Sequence, residues 1–162
     1  MDIDSNSLSE MLKKHSIKPS HQRLQILNYI ISNPCHPTID QIYSRLHTEL
    51  PTLSRTTIYN TLRIIVEAGL VQEVTIENNE VRYDARTESH GHFKCKKCGK
   101  IYDFNISVDD ISAEGLSDFQ VDTKNVYFIG ICKDCLKNGK AWLIVSKEQK
   151  NFYICKHCRN IY

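Results

Sequence analysis

Ser89-His90-Gly91-His92-Phe93-Lys94-Cys95-Lys96-Lys97-Cys98-Gly99-Lys100 compresses two kinds of metal donor into one short stretch. His90 and His92 alternate, so in an extended strand both imidazoles point to one face. Cys95-x-x-Cys98 follows at once, the tight knuckle that sets two thiolates on one ion. A second knuckle, Cys132-x-x-Cys135, can complete a tetrahedral four-sulfur site and leaves the histidines for a different ion. A third pair, Cys155-x-x-Cys158, stands in the tail, and on spacing alone it could partner Cys132 and Cys135 instead. Zinc has no redox chemistry and four protein sulfurs leave no open position, so a site of this kind is structural.

The chain has 162 residues, enough for one large domain or two small ones, and its 41% hydrophobic and 25% charged composition is that of a soluble globular protein. No apolar run reaches the roughly 18 residues of a membrane span. Met1-Asp2-Ile3-Asp4-Ser5 is acidic and polar, unlike a secretory signal. Seven cysteines, six of them in C-x-x-C pairs, suit metal knuckles in a reducing cytosol better than a disulfide framework. The expected location is therefore the cytoplasm. A net charge of +2 gives no argument for nucleic acid, so placement of residues must supply one.

Upstream of the hinge the pattern is helical. Leu8, Met11, Leu12 and His15 recur at helical spacing over residues 5–15, with Ser5 or Ser7 as cap; Lys18-Pro19 breaks that helix. Ser20 caps a second helix with Leu24, Leu27, Ile30 and Ile31 as its stripe, ended by Asn33-Pro34. Thr38-Ile39-Asp40-Gln41 is a capping box, followed by Ile42, Leu46 and Leu50 and closed by Pro51. Ser54 caps a fourth helix with Ile58, Leu62, Ile65 and Val66 inward and Gly69 as its stop. Leu70–Ile76 and Val81–Asp84 then flank a turn at Glu77-Asn78-Asn79-Glu80. Helices, a capped last helix and a hairpin in that order predict a winged helix-turn-helix. The outer face of the fourth helix offers Arg55, Thr56, Thr57, Tyr59, Asn60 and Arg63, which can contact phosphates and base edges. A helical bundle with a solvated polar face is the alternative.

Residues 86–89 are polar and without period and read as the hinge; the DNA-binding domain covers 1–85, a metal-binding domain 90–142 and a tail 143–162. In the second domain His90–Cys95 and Lys100–Phe104 read as strands, Val108–Gly115 as a short helix and Phe119–Cys132 as a long β-rich run. An α+β domain of about 50 residues needs a staple, which a four-thiolate zinc supplies. Besides His90 and His92, nearby donors are Asp84, Asp103 and, in the turn Cys35-His36-Pro37, His36. Histidine with carboxylate suits iron, manganese or zinc, and five such ligands leave one octahedral position open.

These residues resemble the ferric uptake regulator superfamily of metal-dependent repressors over residues 15 to 137. The resemblance is carried by Gln22-Arg23, His36-Pro37-Thr38, Ser54-x-x-Thr57-Ile58-Tyr59-Asn60-x-Leu62, Gly69-Leu70-Val71, His90-x-His92 and both knuckles. It implies a cytoplasmic homodimer, not an enzyme, whose second domain serves dimerisation and which binds a palindromic double-stranded operator when metal-loaded. It pairs Cys95 and Cys98 with Cys132 and Cys135 around structural zinc. It also implies contacts to DNA by Lys18, Gln22, Arg23 and Ser54 beside the fourth-helix residues.

Within the superfamily the chain is similar to the peroxide-responsive repressors, whose regulatory iron or manganese site matches His36, Asp84, His90, His92 and Asp103. Iron-sensing members typically carry glutamate at the places of Asp84 and Asp103. The implied mechanism is reduction of peroxide by ferrous iron, oxidation of His36 or His90, loss of metal and release of DNA. An iron- or zinc-uptake repressor of the same fold is the alternative within the class, and a metalloenzyme the alternative outside it.

Two features depart from the family. Cys35 is expected as a buried apolar thiol. The tail, Phe152-Tyr153-Ile154-Cys155-Lys156-His157-Cys158, is similar to the first knuckle of a rubredoxin-like module whose second knuckle is missing; Cys155 and Cys158 are read as a remnant or loose extra thiols.

Overall fold

The computed structural model describes residues 4–76, 80–107, 111, 114–116 and 118–137. The turn at Glu77–Asn79, most of the Val108–Gly115 helix expectation and the tail with Cys155 and Cys158 lie outside the described residues. Those described form two compact units, the first ending at Thr87 and the second starting at Glu88.

The first unit runs α1 (Ser5–Lys14), α2 (His21–Ser32), α3 (Ile39–Leu46), α4 (Arg55–Glu67), β1 (Gln72–Val74) and β2 (Arg82–Asp84). The starts of α2, α3 and α4 follow from local chemistry. Ser20 Oγ accepts from the Arg23 N–H, Ser54 Oγ from the Thr57 N–H, and Thr38 and Gln41 form the reciprocal capping box. The α1 cap differs from expectation. Asp4 occupies the position, without a side-chain cap bond, rather than Ser5 or Ser7.

Inward faces of all four helices meet in one core. Leu12, Ile26, Leu27, Ile42, Ile58, Leu62 and Ile65 are fully buried there, with Tyr83 of β2 closing it. Burial of that many aliphatic side chains, each worth about 1.5–3 kcal/mol, fixes how α3 and α4 present their outer faces.

Two ends differ from the sequence expectation. Helix α3 stops at Leu46 with His47 as its C-cap, so Leu50 follows in a turn, its N–H bonded to the Leu46 carbonyl at 2.8 Å. Strand β1 begins at Gln72 rather than Leu70, because Leu70 is tied to the end of α4. Gly69, at φ +70°, donates to Val66 and Leu70 donates to Ile65, the paired bonds of a Schellman motif. Helix, turn, helix and a two-stranded antiparallel wing make this unit a winged helix-turn-helix.

The second unit is a three-stranded sheet of order β4-β3-β5, followed by one helical turn, α5 (Lys133–Lys137). Strand β3 (Gly91–Cys95) lies in the centre, antiparallel to β4 (Ile101–Phe104) and parallel to β5 (Val126–Gly130). The long β run expected over 119–132 shrinks to these five residues of β5. Its partner β3 offers pairing only from Gly91, opposite Val126, to Cys95, opposite Gly130, and Phe119 is 67% exposed. His90 stands just before β3 rather than in it, and α5 was not anticipated.

Candidate functional site

Four sulfurs gather at the C-terminal end of β3. Gly99, at φ +71°, closes the first knuckle; its N–H donates to the Cys95 carbonyl at 2.8 Å and Cys95 donates to Lys100 at 2.9 Å. The parallel register carries β5 past the end of β3, so that Cys132 arrives beside Cys95 and its N–H donates to Cys95 Sγ at 3.3 Å. Helix α5 then supplies Cys135. Sulfurs of Cys95, Cys98, Cys132 and Cys135 all lie within 4.8 Å of one another, and Cys98 and Cys132 are 3.8 Å apart. A zinc tetrahedron with bonds of about 2.3 Å has an edge of about 3.8 Å. The donor set fits zinc, with no place left for substrate.

Charge argues the same way. Burial pushes the Cys135 thiol up to about 12, and the neighbouring sulfurs of Cys132, Cys98 and Cys95 push it in the same direction. Burial also acts upward on Cys95, but backbone N–H groups of Cys132, Cys98 and Lys97 aimed at its sulfur outweigh it and bring that thiol down to about 6. Four thiolates in one place repel, and only a cation lets all of them ionise.

Nitrogen and oxygen donors occupy both units. In the first, Nε2 of His36 lies 3.6 Å from Oδ2 of Asp84, both side chains buried. Two donors each about 2.1 Å from a shared ion are at most about 4.2 Å apart, so this spacing suits ligation. His36 has φ +52°, a left-handed conformation that costs a non-glycine residue about 1–3 kcal/mol. Strand β2 holds it there: Arg82 Nη1 donates to the His36 carbonyl at 3.2 Å and the Tyr83 N–H to the Pro37 carbonyl at 3.1 Å. Asp84 is oriented in turn, Oδ1 accepting from the Arg86 N–H at 2.8 Å and Oδ2 from Gln72 Nε2 at 3.3 Å.

In the second unit, His90 and His92 bring their Nε2 atoms to 3.0 Å, and Asp103 Oδ1 lies 3.7 and 3.8 Å from them. Register explains the carboxylate, since His92 pairs directly with Asp103 across β3 and β4. His90 Nδ1 donates to the Glu88 carbonyl at 2.7 Å, which turns the Nε2 lone pair toward a metal and fixes the ring. Two imidazoles and one carboxylate are the facial set that holds ferrous iron with positions open. Gly91 between the histidines is required by packing. A Cβ there would drive into the ring of Phe104, which stacks on Phe128 at 4.8 Å.

Residues expected to touch DNA lie in the first unit. Tyr59 is 54% exposed, and Thr56, Asn60 and Arg63 are exposed beside it. Lys18, Gln22, Arg23, Thr57 and Asn60 line a groove of about 320 Å³ at the start of α2. Ser54 and Thr57 are partly spent on the α4 cap, their hydroxyls 2.9 Å apart, and Arg23 Nη1 donates to the Lys18 carbonyl at 2.6 Å. Arg55 pairs with Asp40. Cys35 is buried, as an apolar thiol would be.

Sequence reading missed the supporting residues Gln72, Arg82, Glu88 and Phe104. Glu88 and Arg82 act on, or receive from, backbone or imidazole groups at distances that no motif encodes. Gly91 was the one visible signal, a glycine where a strand side chain would be expected.

The model of the ferric uptake regulator family matches residues 14–129. Peroxide-responsive repressor PerR of Staphylococcus epidermidis is 38% identical over 131 residues, covering 79% of this chain and 87% of that one. The protein of the same description from Staphylococcus aureus is 39% identical over 127 residues, covering 76% and 86%. Among solved structures, the ferric uptake regulator of Vibrio cholerae superposes with a TM-score of 0.63 at 23% identity, over 76% of this chain and 98% of that one. The iron-containing Francisella tularensis regulator gives 0.62 at 24%, over 74% and 95%. At such identities these two structures bear on the fold.

Two outcomes follow from the geometry. Cys98→Ser is expected to lose stoichiometric zinc and the tertiary signal of the second unit while the helical far-ultraviolet signal of the first persists, read by metal analysis and circular dichroism. Gly91→Ala, which displaces Phe104 beneath the two histidines, should keep its zinc but bind manganese about tenfold more weakly or worse, measured by titration with paramagnetic resonance detection.

Proposed function

This chain belongs to the ferric uptake regulator family, and on that premise we propose that it is a metal-dependent repressor of transcription that senses peroxide. One ion is shared by His36 and Asp84 of the first unit and His90, His92 and Asp103 of the second. The observation that carries the reading is the pair of incomplete donor sets: two hard ligands at the base of the DNA-binding unit, three on β3 and β4. Neither set satisfies a six-coordinate ion by itself. Joined, they supply five ligands, and the ion's affinity becomes dependent on domain orientation. Driving such an equilibrium from mostly open to mostly closed takes about 5.5 kcal/mol of differential binding, within reach of a multidentate site.

Peroxide sensing is supported by the names of the relatives above 35% identity and by aspartate at 84 and 103. Ferrous iron, when bound, would lend the electrons that cleave the O–O bond and recover them from the imidazole that is oxidised. In net terms a ligand imidazole gains one oxygen atom and the peroxide leaves as water. His36 and His90 are the residues to which this falls. Each is a ligand by one nitrogen only, so an oxidised ring no longer holds the ion and the two units part. Zinc in the four-thiolate site, without redox chemistry, stays out of the reaction.

A homodimer completes the proposal. Among the described residues strand β5 is one edge of its sheet and exposes Phe128 (54%) and Ile129 (65%), with Ile131 and Leu136 beyond them. An apolar edge with no further strand among the described residues calls for one, and a second copy of β5 is self-complementary to it. A two-fold dimer presents two α4 helices to a palindromic operator.

Operator binding by the manganese and ferrous proteins, before and after peroxide, is the test. Loss only in the ferrous protein is expected, together with one added oxygen on the His36 or His90 peptide by mass spectrometry. Unchanged binding and unmodified histidines would point to an iron- or zinc-uptake repressor instead. Ile129→Lys should give a monomer by light scattering that binds the operator at least tenfold more weakly.

A further inference from the structure

Arg55 is the first residue of α4, directly after its Ser54 cap. Its Nε donates to Asp40 Oδ1 of α3 at 2.5 Å, and its Cζ lies 4.0 Å from the centroid of the Tyr43 ring. Asp40 and Tyr43 are three apart on α3 and so share one helix face. Tyr43 is itself stacked on His47, with centroids 4.7 Å apart and planes 23° from parallel. A guanidinium, an aromatic ring and an imidazole thus form a row at the α3–α4 junction.

The pair is open to solvent, with side chains 58% and 72% exposed, so it stabilises the fold little. What it does fix is orientation. A flexible arginine has several rotamers to lose on binding; one stacked on a ring and bonded through one edge has lost them beforehand. With Nε on Asp40, the edge formed by Nη1 and Nη2 carries the parallel N–H donors that match O6 and N7 of guanine.

A phosphate partner is disfavoured by the same contact. Asp40 brings a negative charge beside the guanidinium, which cancels its long-range attraction for a phosphate but leaves its donors intact. Residues at the N-terminal end of the second helix in this motif are those that reach base edges.

We propose that Arg55 selects guanine at one position of each operator half-site, and that Asp40 and Tyr43 are positioning residues that hold its guanidinium for that bond. The inference rests on the DNA-binding reading above and deepens it. Threonines elsewhere on α4 accept or donate to any base, whereas a braced arginine fork discriminates.

The experiment is selection from a random duplex DNA library by the manganese-loaded full chain, with Arg55→Ala, Arg55→Lys and Asp40→Asn alongside. Salt dependence is measured on the selected site. The unsubstituted protein should enrich guanine at one symmetric position. Arg55→Ala and Arg55→Lys should lower that preference roughly 10- to 100-fold with the remaining positions unchanged, since lysine keeps the charge and loses the fork. Asp40→Asn should lower it several-fold. The slope of log affinity against log salt should not change in Arg55→Ala.

A uniform loss across sequences with a shallower salt slope would make Arg55 a phosphate contact and overturn the proposal. Unchanged base preference in both Arg55 variants would reduce the cluster to a surface ion pair and overturn it equally. Full discrimination in Asp40→Asn would overturn the brace. Were Arg55→Ala to melt early, Arg55→Lys still decides, because it retains the charge and the stem. Failure of the unsubstituted metal-loaded protein to enrich any sequence would remove the repressor reading itself, and this inference with it.

Discussion

Tetrahedral coordination by four sulfurs is the constraint on which the second unit depends. The first unit buries fifteen apolar side chains around its four helices and needs no staple. Among the described residues of the second, the buried apolar side chains are Cys95, Cys98, Ile101 and Cys132, three of them ligands. A cluster of thiols is not a hydrophobic core. Its environments differ, since burial and the neighbouring sulfurs push the Cys135 thiol up while backbone N–H groups bring Cys95 down. With a dication in place, the ends of β3 and β5 and the turn of α5 are tied to one point, and the binding free energy becomes folding free energy.

Strand β3 serves both metal chemistries, which its sequence keeps apart by ligand type. Cys95 at its end contributes sulfur to an ion that neither gains nor loses electrons; His92 near its start, with His90 just before it, contributes nitrogen to a set suited to iron or manganese. Separation by softness is effective because geometry reinforces it. The sulfurs fill a tetrahedron, while two nitrogens and one Asp103 oxygen are fewer donors than a six-coordinate ion takes. Supporting contacts are equally divided: backbone N–H groups point at sulfur, and a backbone carbonyl holds the His90 ring.

On the DNA side, rigid packing beneath α4 sets where its outer residues can reach. Ile58, Leu62 and Ile65 lock the helix by its inner face, and the Ser54 cap fixes its first turn. Arg55 is further restrained by α3 through Asp40 and Tyr43. Such restraint matters more for specificity than for affinity, because ordering paid on folding is not paid again on binding.

Much of this was legible in the sequence because it is written in local chemistry. Capping residues Ser20, Thr38 and Ser54, the stop at Gly69 and the knuckle spacing each act within a few residues of themselves, so helix starts and the sulfur ligands could be read directly. Alternation singled out His90 and His92, and resemblance to a family joined Asp84, Asp103 and His36 to them as one regulatory set. The extent of β5 could not be read, since a strand ends where its partner ends, and β3 is only five residues long. Nor could the left-handed backbone at His36, which is held by Arg82 and Tyr83 from more than forty residues away. The ring of Phe104 lying on Gly91 and the capture of Arg55 by Asp40 are likewise matters of packing between elements. The sequence by itself determined which residues could bind metal and where the helices begin, because ligand identity and hydrogen-bonding caps are local properties. Only tertiary structure decided the distances that make those residues a site, because they depend on strand register and on side chains that meet from distant parts of the chain.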